Sequence, residues 1–359
     1  MPSVAIVILC YNNRLFLEKF LPGVLAYSHD AETIVVDNAS TDDTMAFMMA
    51  HYPEVRTIRH DINYGFCGGY NHALAQIETD FYVLLNSDVE VTEGWLQPMV
   101  DLMLQNPIIG ACQPKILSYS EKNKFEYAGA GGGFIDRLGY PFCRGRIFQH
   151  LETDTGQYND TVPVFWATGA CMVVRASLYH KLGGLEKSFF AHMEEIDLCW
   201  RMQRAAYKVY YCGQSTVYHV GGGTLQQDSP RKTFLNFRNN LSLLLRNLPL
   251  AALFWIFPLR VLLDWAAALS FLLQRKPKNA WAVLRAQAAV FLVMGKLRDW
   301  RRQGKVAGPP SADLTGVYKG SIVWQYFIKK KTTFGQLNIP NGAFFATEMP
   351  ADIYQKSKA

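Results

Sequence analysis

The sequence predicts an α/β domain built on a mostly parallel central sheet, followed by a helical C-terminal region suited to a membrane surface. Three observations point there. The first ninety residues alternate short apolar runs with stretches of helical spacing. Those runs are apolar on both faces, as strands buried under two layers of helix must be. After Pro230 the apolar stretches lengthen and basic residues accumulate.

Taken in order, VAIVILCY (Val4–Tyr11) reads as a first strand and, lacking a basic leader, is expected not to be a signal peptide. RLFLEKFLPGVLAY has helical spacing, and TIVVDNAS is a second strand stopped by Asp37 and Asn38. Thr41–His51 is expected to be a helix with Ser40 or Thr41 as N-cap. VRTIRH is a short strand, Asn71–Glu78 a helix, and FYVLLNS the fourth strand. Ligands of such sheets bind beyond the carboxyl ends of the strands, where Asn12, Asp37 and Asp88 fall. Trp95–Gln105 reads as a helix and the glycine-rich Tyr127–Pro141 as a loop or lid. VFWATGACMVVRASLYHKLGGL gives a strand and then a helix, and AYKVYYCGQSTVYHVGGGT gives further strands.

The net charge of +6 is unevenly spread, with fourteen basic residues against two acids, Asp264 and Asp299, between Arg231 and Lys305. Nucleic acid would explain the charge but not the apolar runs; a membrane surface bearing anionic lipid explains both. Leu248–Leu273 is about as long as a membrane span, although Arg260 and Asp264 interrupt it. A second apolar stretch, Ala280–Gly295, contains Arg285, and FRNNLSLLLRN (Phe237–Asn247) resembles an amphipathic lead-in. A buried hairpin in a soluble domain is the competing interpretation. The seven cysteines form no CxxC pair, which favours buried, reduced thiols.

Four segments carry candidate chemistry: ILCYNN, VVDNASTDDT, NYGFCGGYNHAL and YVLLNSDVEV. Singly each has a plain reading. Asn, Ser and Asp are turn formers, and a Gly-Gly before a helix is more often a tight turn than a phosphate cradle. FCGGYN does not fit the GxGxxG pattern of dinucleotide oxidoreductases.

In this order and spacing, with the downstream FFAHMEEIDLCWR, the segments resemble the inverting glycosyltransferases of family 2, and the last string their rhamnosyltransferase-like members. The resemblance spans roughly residues 4–223. It implies a GT-A fold, that is, a Rossmann-like nucleotide-binding domain fused to an acceptor-binding region. It further implies that Asp37 holds the nucleotide base and that Tyr11, Asn12, Asn63, Gly68, Gly69, Asn71, Asn86 and Ser87 line the sugar-nucleotide pocket. Asn86-Ser87-Asp88 matches the family's Asp-x-Asp position with Asn replacing the first acid, so Asp88 becomes the main ligand of a divalent cation. His219 matches a second metal ligand, a strand histidine bonded to a carbonyl being the plainer alternative.

A cation bridging two phosphates stabilises a departing nucleoside diphosphate, and oxygen ligands with one imidazole suit Mn2+ or Mg2+. The acceptor hydroxyl must lose a proton as it attacks, which calls for a carboxylate. Alignment to the family's Glu-Asp pair places Glu195 as catalytic base, with Glu194 in reserve; acids favouring a helix N-terminus are the alternative. Asp197 and Arg201 are expected to form a structural ion pair. Trp166 and Gly169 would border the acceptor.

The expected organisation is a catalytic domain over 1–230 (nucleotide half 1–92, acceptor half 93–230), a membrane-attachment region over 231–305, and a tail over 306–359. The expected partners are a nucleotide-sugar donor, a glycan acceptor on a lipid carrier and the cytoplasmic face of the cell membrane, with no nucleic acid. A nucleotidyltransferase would more typically carry a glycine-rich basic loop after the first strand, which CYNNRLFLEKF lacks. A non-catalytic scaffold that binds nucleotide sugars has only Asn86 in its favour.

Overall fold

The computed structural model describes residues 2–221, 229–296, 301 and 314–339. The expected strand end Gly222–Thr224 and most of the tail over 306–359 lie outside them.

The first half follows the expected alternation: β1 (Val4–Cys10), α1 (Arg14–Ala26), β2 (Glu32–Asp37), α2 (Thr44–His51), β3 (Arg56–Arg59), α3 (Gly65–Leu74), β4 (Phe81–Asn86), β5 (Val89–Val91) and α4 (Gln97–Gln105). Next come β6 (Ile109–Ser118), β7 (Gly133–Asp136), β8 (Pro141–Cys143), β9 (Arg146–Ile147), β10 (His150–Leu151), β11 (Thr161–Val164), β12 (Cys171–Arg175), α5 (Ala176–Lys181), α6 (Glu194–Arg204) and β13 (Lys208–His219). Three long helices follow, α7 (Pro230–Asn247), α8 (Leu250–Leu273) and α9 (Pro277–Val293), and then β14 (Val317–Tyr318).

The main sheet runs β11-β13-β6-β12-β4-β1-β2-β3, with β5 paired to β13. β4, β1, β2 and β3 are parallel, whereas β12 enters antiparallel between β4 and β6. Val83, Leu84 and Leu85 are fully buried, each contributing about 1.5–3 kcal/mol. A second sheet, β10-β9-β8-β7-β14, packs beside the first. All seven cysteines are free and buried.

Four elements differ from the sequence reading. α2 starts at Thr44, because Ser40 and Thr41 are engaged elsewhere: Ser40 Oγ accepts the Asn12 N–H and Asn12 Oδ1 accepts the Thr41 N–H. α3 starts at Gly65, so Gly68 and Gly69 lie inside it. The glycine-rich 127–141 stretch is no lid. Gly129 to Asp136 are buried, and a Cβ on Gly133 would stand 2.2 Å from the Trp166 ring, so glycine is needed for that ring to lie on the chain. Finally α7, expected in the membrane-attachment region, is buried from Asn239 to Asn247. Asp197 explains its seat. Its carboxylate takes Arg201 Nε (2.8 Å) from its own helix, as expected, and also Asn247 Nδ2 (2.8 Å) and Arg246 Nε (3.3 Å) from α7. Burial would raise the Asp197 pKa, but the two guanidiniums outweigh it and hold the carboxyl below its usual range.

Candidate active site

Strand register assembles the site. On either side of β1, Cys10 faces Asp37 of β2 and Leu9 faces Asn86 of β4, so the three loops emerge at one rim. Tyr11 is half-buried and Asn12 exposed at that rim. Asn12 holds the Ser40–Thr41 loop, and Asn13 Nδ2 donates to Ser87 Oγ at 2.9 Å.

Asp37 is fully buried. Its Oδ1 accepts the Ser40 N–H at 2.9 Å, and its Oδ2 has no hydrogen-bond partner, with Arg59 Nε standing 3.5 Å away. A buried carboxylate oxygen left open can accept an N–H from a ligand.

Asp88 lies in the turn from β4 to β5. Because Val89 pairs with His219, the imidazole is brought beside the acid, with Nε2 3.2 Å from Asp88 Oδ1 and 3.5 Å from Asn86 Nδ2. The other ring nitrogen, Nδ1, is 3.1 Å from Glu126 Oε2, at ion-pair distance but off the hydrogen-bond line. Burial alone would depress the imidazole pKa; Asp88 and Glu126 outweigh it and push it up to about 10. Burial would likewise raise Glu126, but His219 and backbone N–H groups hold it below the ordinary range. A carboxylate behind the far nitrogen is the usual support of a metal-binding histidine. The donor set fits a divalent cation, which Asp88 and His219 Nε2 would hold once the imidazole gives up its Nε2 proton. Among the described residues no three His, Cys, Asp or Glu side chains are arranged to hold a metal, so phosphate oxygens would have to complete the shell.

Glu194 and Glu195 open α6, behind a loop in which Phe190, His192 and Met193 all have positive φ, at 67°, 71° and 74°. Non-glycine residues hold that conformation only when surroundings impose it. Here α7 imposes it. Asn239 Nδ2 lies within 2.9 Å of the carbonyls of Phe189, Ala191 and His192, and Arg238 donates to those of Ser188 and Phe189. Glu194 is buried, whereas Glu195 keeps partial access to solvent. Each has one oxygen, Oε2, without a partner. Burial pushes the Glu195 pKa up to about 7, and burial with the neighbouring charge of Glu195 holds Glu194 well above the usual carboxylate range.

Consecutive residues link Glu195 to Asn86, two residues before Asp88. The Asn86 N–H donates to Ala170 O at 2.9 Å, while a Cβ on Gly169 would lie 4.0 Å from Glu195 Cβ.

The remaining expected site residues have protein partners of their own. The first N–H groups of α3 are not open to phosphate, since Gly65 donates to Asn63 Oδ1 and Phe66 and Cys67 to Phe190 O. Gly68 and Gly69 are small because a Cβ would stand 2.8 Å from Tyr64 and from Leu9. Asn63 braces Asn38. Asn71 is used up between Leu185 and the Tyr179 hydroxyl. Trp166 is core, its Nε1–H bonded to Phe134 O. Sequence reading missed Glu126, Asn13, Arg238 and Asn239. Two adjacent asparagines inside an amphipathic helix were the one available signal for the last, since asparagine favours a helix interior little unless its amide is used.

The family model described as Glycosyl transferase family 2 matches residues 5–183. The chain belongs to glycosyltransferase family 2. The enzyme is 27% identical over 238 residues to N-acetylglucosaminyl-diphospho-decaprenol L-rhamnosyltransferase of Mycobacterium tuberculosis, covering 61% of this chain and 75% of that protein. Its fold matches GalNAc-T7 solved with UDP, GalNAc and Mn2+ (TM-score 0.53, 12% identity, 68% of this chain and 48% of that one). It also matches the mannosyltransferase PcManGT from Pyrobaculum calidifontis, solved with GDP-Man and Mn2+ (TM-score 0.50, 14% identity, 84% of each chain). The GT-A architecture expected from the motifs is therefore the fold of this glycosyltransferase.

Proposed function

We propose that this enzyme is an inverting, cation-assisted glycosyltransferase that moves a hexose or deoxyhexose from a nucleotide donor to a lipid-linked glycan at the cytoplasmic membrane face. The observation that supports the reading is the Gly169–Ala170 bridge, which runs from Glu195 to Asn86 at the end of β4, two residues before Asp88. Asp37 Oδ2 takes the base N–H. Asp88 and His219 would hold a divalent cation, whose charge would offset that gathering on the departing diphosphate. Glu195 accepts the proton of the acceptor hydroxyl as its oxygen attacks the anomeric carbon from the face opposite the leaving group. A raised pKa suits that task, because a base is most effective when its pKa lies near the working pH.

The lipid-linked acceptor draws support from the mycobacterial relative, whose name specifies a decaprenol carrier. The membrane face draws support from α8, which among the described residues is the one helix long and apolar enough to cross a bilayer. Its two charges do not face outward. Arg260 and Asp264 are buried, 3.6 Å apart, with Arg260 stacked 3.7 Å above the Tyr140 ring. Phe254, Trp255, Leu262, Trp265 and Leu269 are exposed instead. Helices lying in the membrane surface fit a face that is apolar on one side and held by protein on the other.

The test is transfer from a panel of nucleotide sugars to a lipid-linked acceptor. Glu195→Ala and Asp88→Ala should each cut kcat by about 100-fold or more while the melting temperature is retained. Full activity in both variants would overturn the assignment.

A further inference from the structure

Beyond the long helices, the segment Trp324–Lys331 (WQYFIKKK) is a second exposed feature with a composition of its own. It forms one wide helical turn over Trp324–Ile328, followed directly by three lysines. Trp324, Phe327 and Ile328 are each more than half exposed. Lys329 and Lys330 are exposed and Lys331 is half-buried.

The turn is anchored and its outward side chains are set by packing. β14 pairs with β7, the Ile322 N–H donates to Asp136 Oδ2 at 2.9 Å, and Ile322 is fully buried. Tyr326 and Phe327 pack on the Phe148 ring at 4.9 and 5.1 Å. The same 136–140 turn also seats α8, because Arg260 donates to Leu138 O at 2.8 Å. One hairpin turn, with Asp136 and Leu138 buried, therefore holds both the middle of the apolar helix and the start of this segment.

Charge narrows the occupant. Among the described residues after Ser229 the single acid is Asp264, which is buried against Arg260. Every exposed charge among those described residues is positive. Aromatic rings settle at the boundary between headgroups and acyl chains, and lysines beside them are drawn to anionic headgroups. A nucleic-acid strand would use the lysines but leaves Ile328 and the outer face of α8 unexplained.

We propose that Trp324–Lys331 is a second membrane contact that reads anionic lipid, while α8 supplies the apolar insertion. This rests on the membrane reading above. Two weak contacts on one rigid body bind far more tightly than either alone.

The experiment is co-sedimentation of the full chain with vesicles of phosphatidylcholine alone or mixed with phosphatidylglycerol. Two variants are compared: Lys329→Gln/Lys330→Gln/Lys331→Gln, and Phe254→Glu/Trp255→Glu on α8. The lysine variant is expected to lose about 100-fold in partitioning onto the anionic vesicles, with binding to neutral vesicles and the melting temperature unchanged. The α8 variant is expected to lose binding to both vesicle types. If the α8 variant loses binding and the lysine variant partitions as the parent does, the second contact is overturned and the membrane reading stands. If neither variant loses binding, the membrane reading itself falls. Loss of oligonucleotide binding in the lysine variant, with vesicle binding intact, would also overturn the proposal in favour of nucleic acid.

Discussion

The side-chain amide of Asn239 stands 2.7 Å from the carbonyl oxygen of His192, two residues before Glu194. A helix that reads as part of the membrane region thus holds the loop that presents the acids. Asn239→Ala removes the donor for three carbonyls at once, and the left-handed residues lose what imposes them. The expected cost is about 1–3 kcal/mol of stability. The kcat should fall by about 10- to 100-fold, because an error of about 1 Å at a reacting group costs that much. The donor Kd should be unchanged. Thermal melts with steady-state kinetics check both, and an unchanged kcat would show that the loop keeps its shape without the amide.

Glu195 makes rate and stability move in opposite directions with pH. As a base it must be ionised, so kcat should rise through about pH 7 and level off above it, with the Glu195→Gln variant low and flat. Stability runs the other way. A carboxyl whose pKa is raised by folding keeps its proton after the unfolded chain has lost its own, so stability declines as pH rises from about 4 to about 7. Glu195→Gln should therefore melt higher than the parent at about pH 8 and alike at about pH 4. Differential scanning fluorimetry across that range tests it. A variant that melts lower at the alkaline end would mean the acid is stabilised as an anion.

Glu126 and Asp88 grip His219 from opposite sides, 3.1 and 3.2 Å from its two nitrogens. Glu126→Gln leaves every ligand atom in place but removes the charge that orients the ring. Mn2+ affinity, read by electron paramagnetic resonance with a nucleoside diphosphate present, should weaken by about 10- to 100-fold. His219→Ala should weaken it at least as much. Unaltered affinity in both would remove the imidazole from the cation site.

How much of this was legible in the sequence follows from which interactions are local. The strands with Asp37 and Asp88 at their ends stood out because a strand buried on both faces must be a continuous apolar run, and its polar stop marks the rim. The Asp197–Arg201 pair was legible because helix geometry fixes a four-residue spacing. Gly68 and Gly69 were ambiguous because a missing side chain looks the same whether Tyr64 and Leu9 or a phosphate fill the space. Glu126 gave no signal, since its partner His219 lies 93 residues away and only the pairing of β13 with β6 and β5 brings them together. Arg260 and Asp264 looked like flaws in an apolar helix because their burial against Tyr140 depends on another sheet.

The burial of α7 has a practical side. Cutting the chain where hydrophobicity climbs, just past Pro230, would strip the latch from the Glu194–Glu195 loop and bare the seat that Leu241 to Leu245 now fill. Even a cut after Asn247 would forfeit the bonds from Arg301 to the carbonyls of Leu245 and Leu248. The greasy end of this enzyme is not a detachable cassette. A relative that trades it for another anchor must inherit or rebuild the helix in between, and a shortened soluble version is expected to sacrifice turnover before it gains solubility.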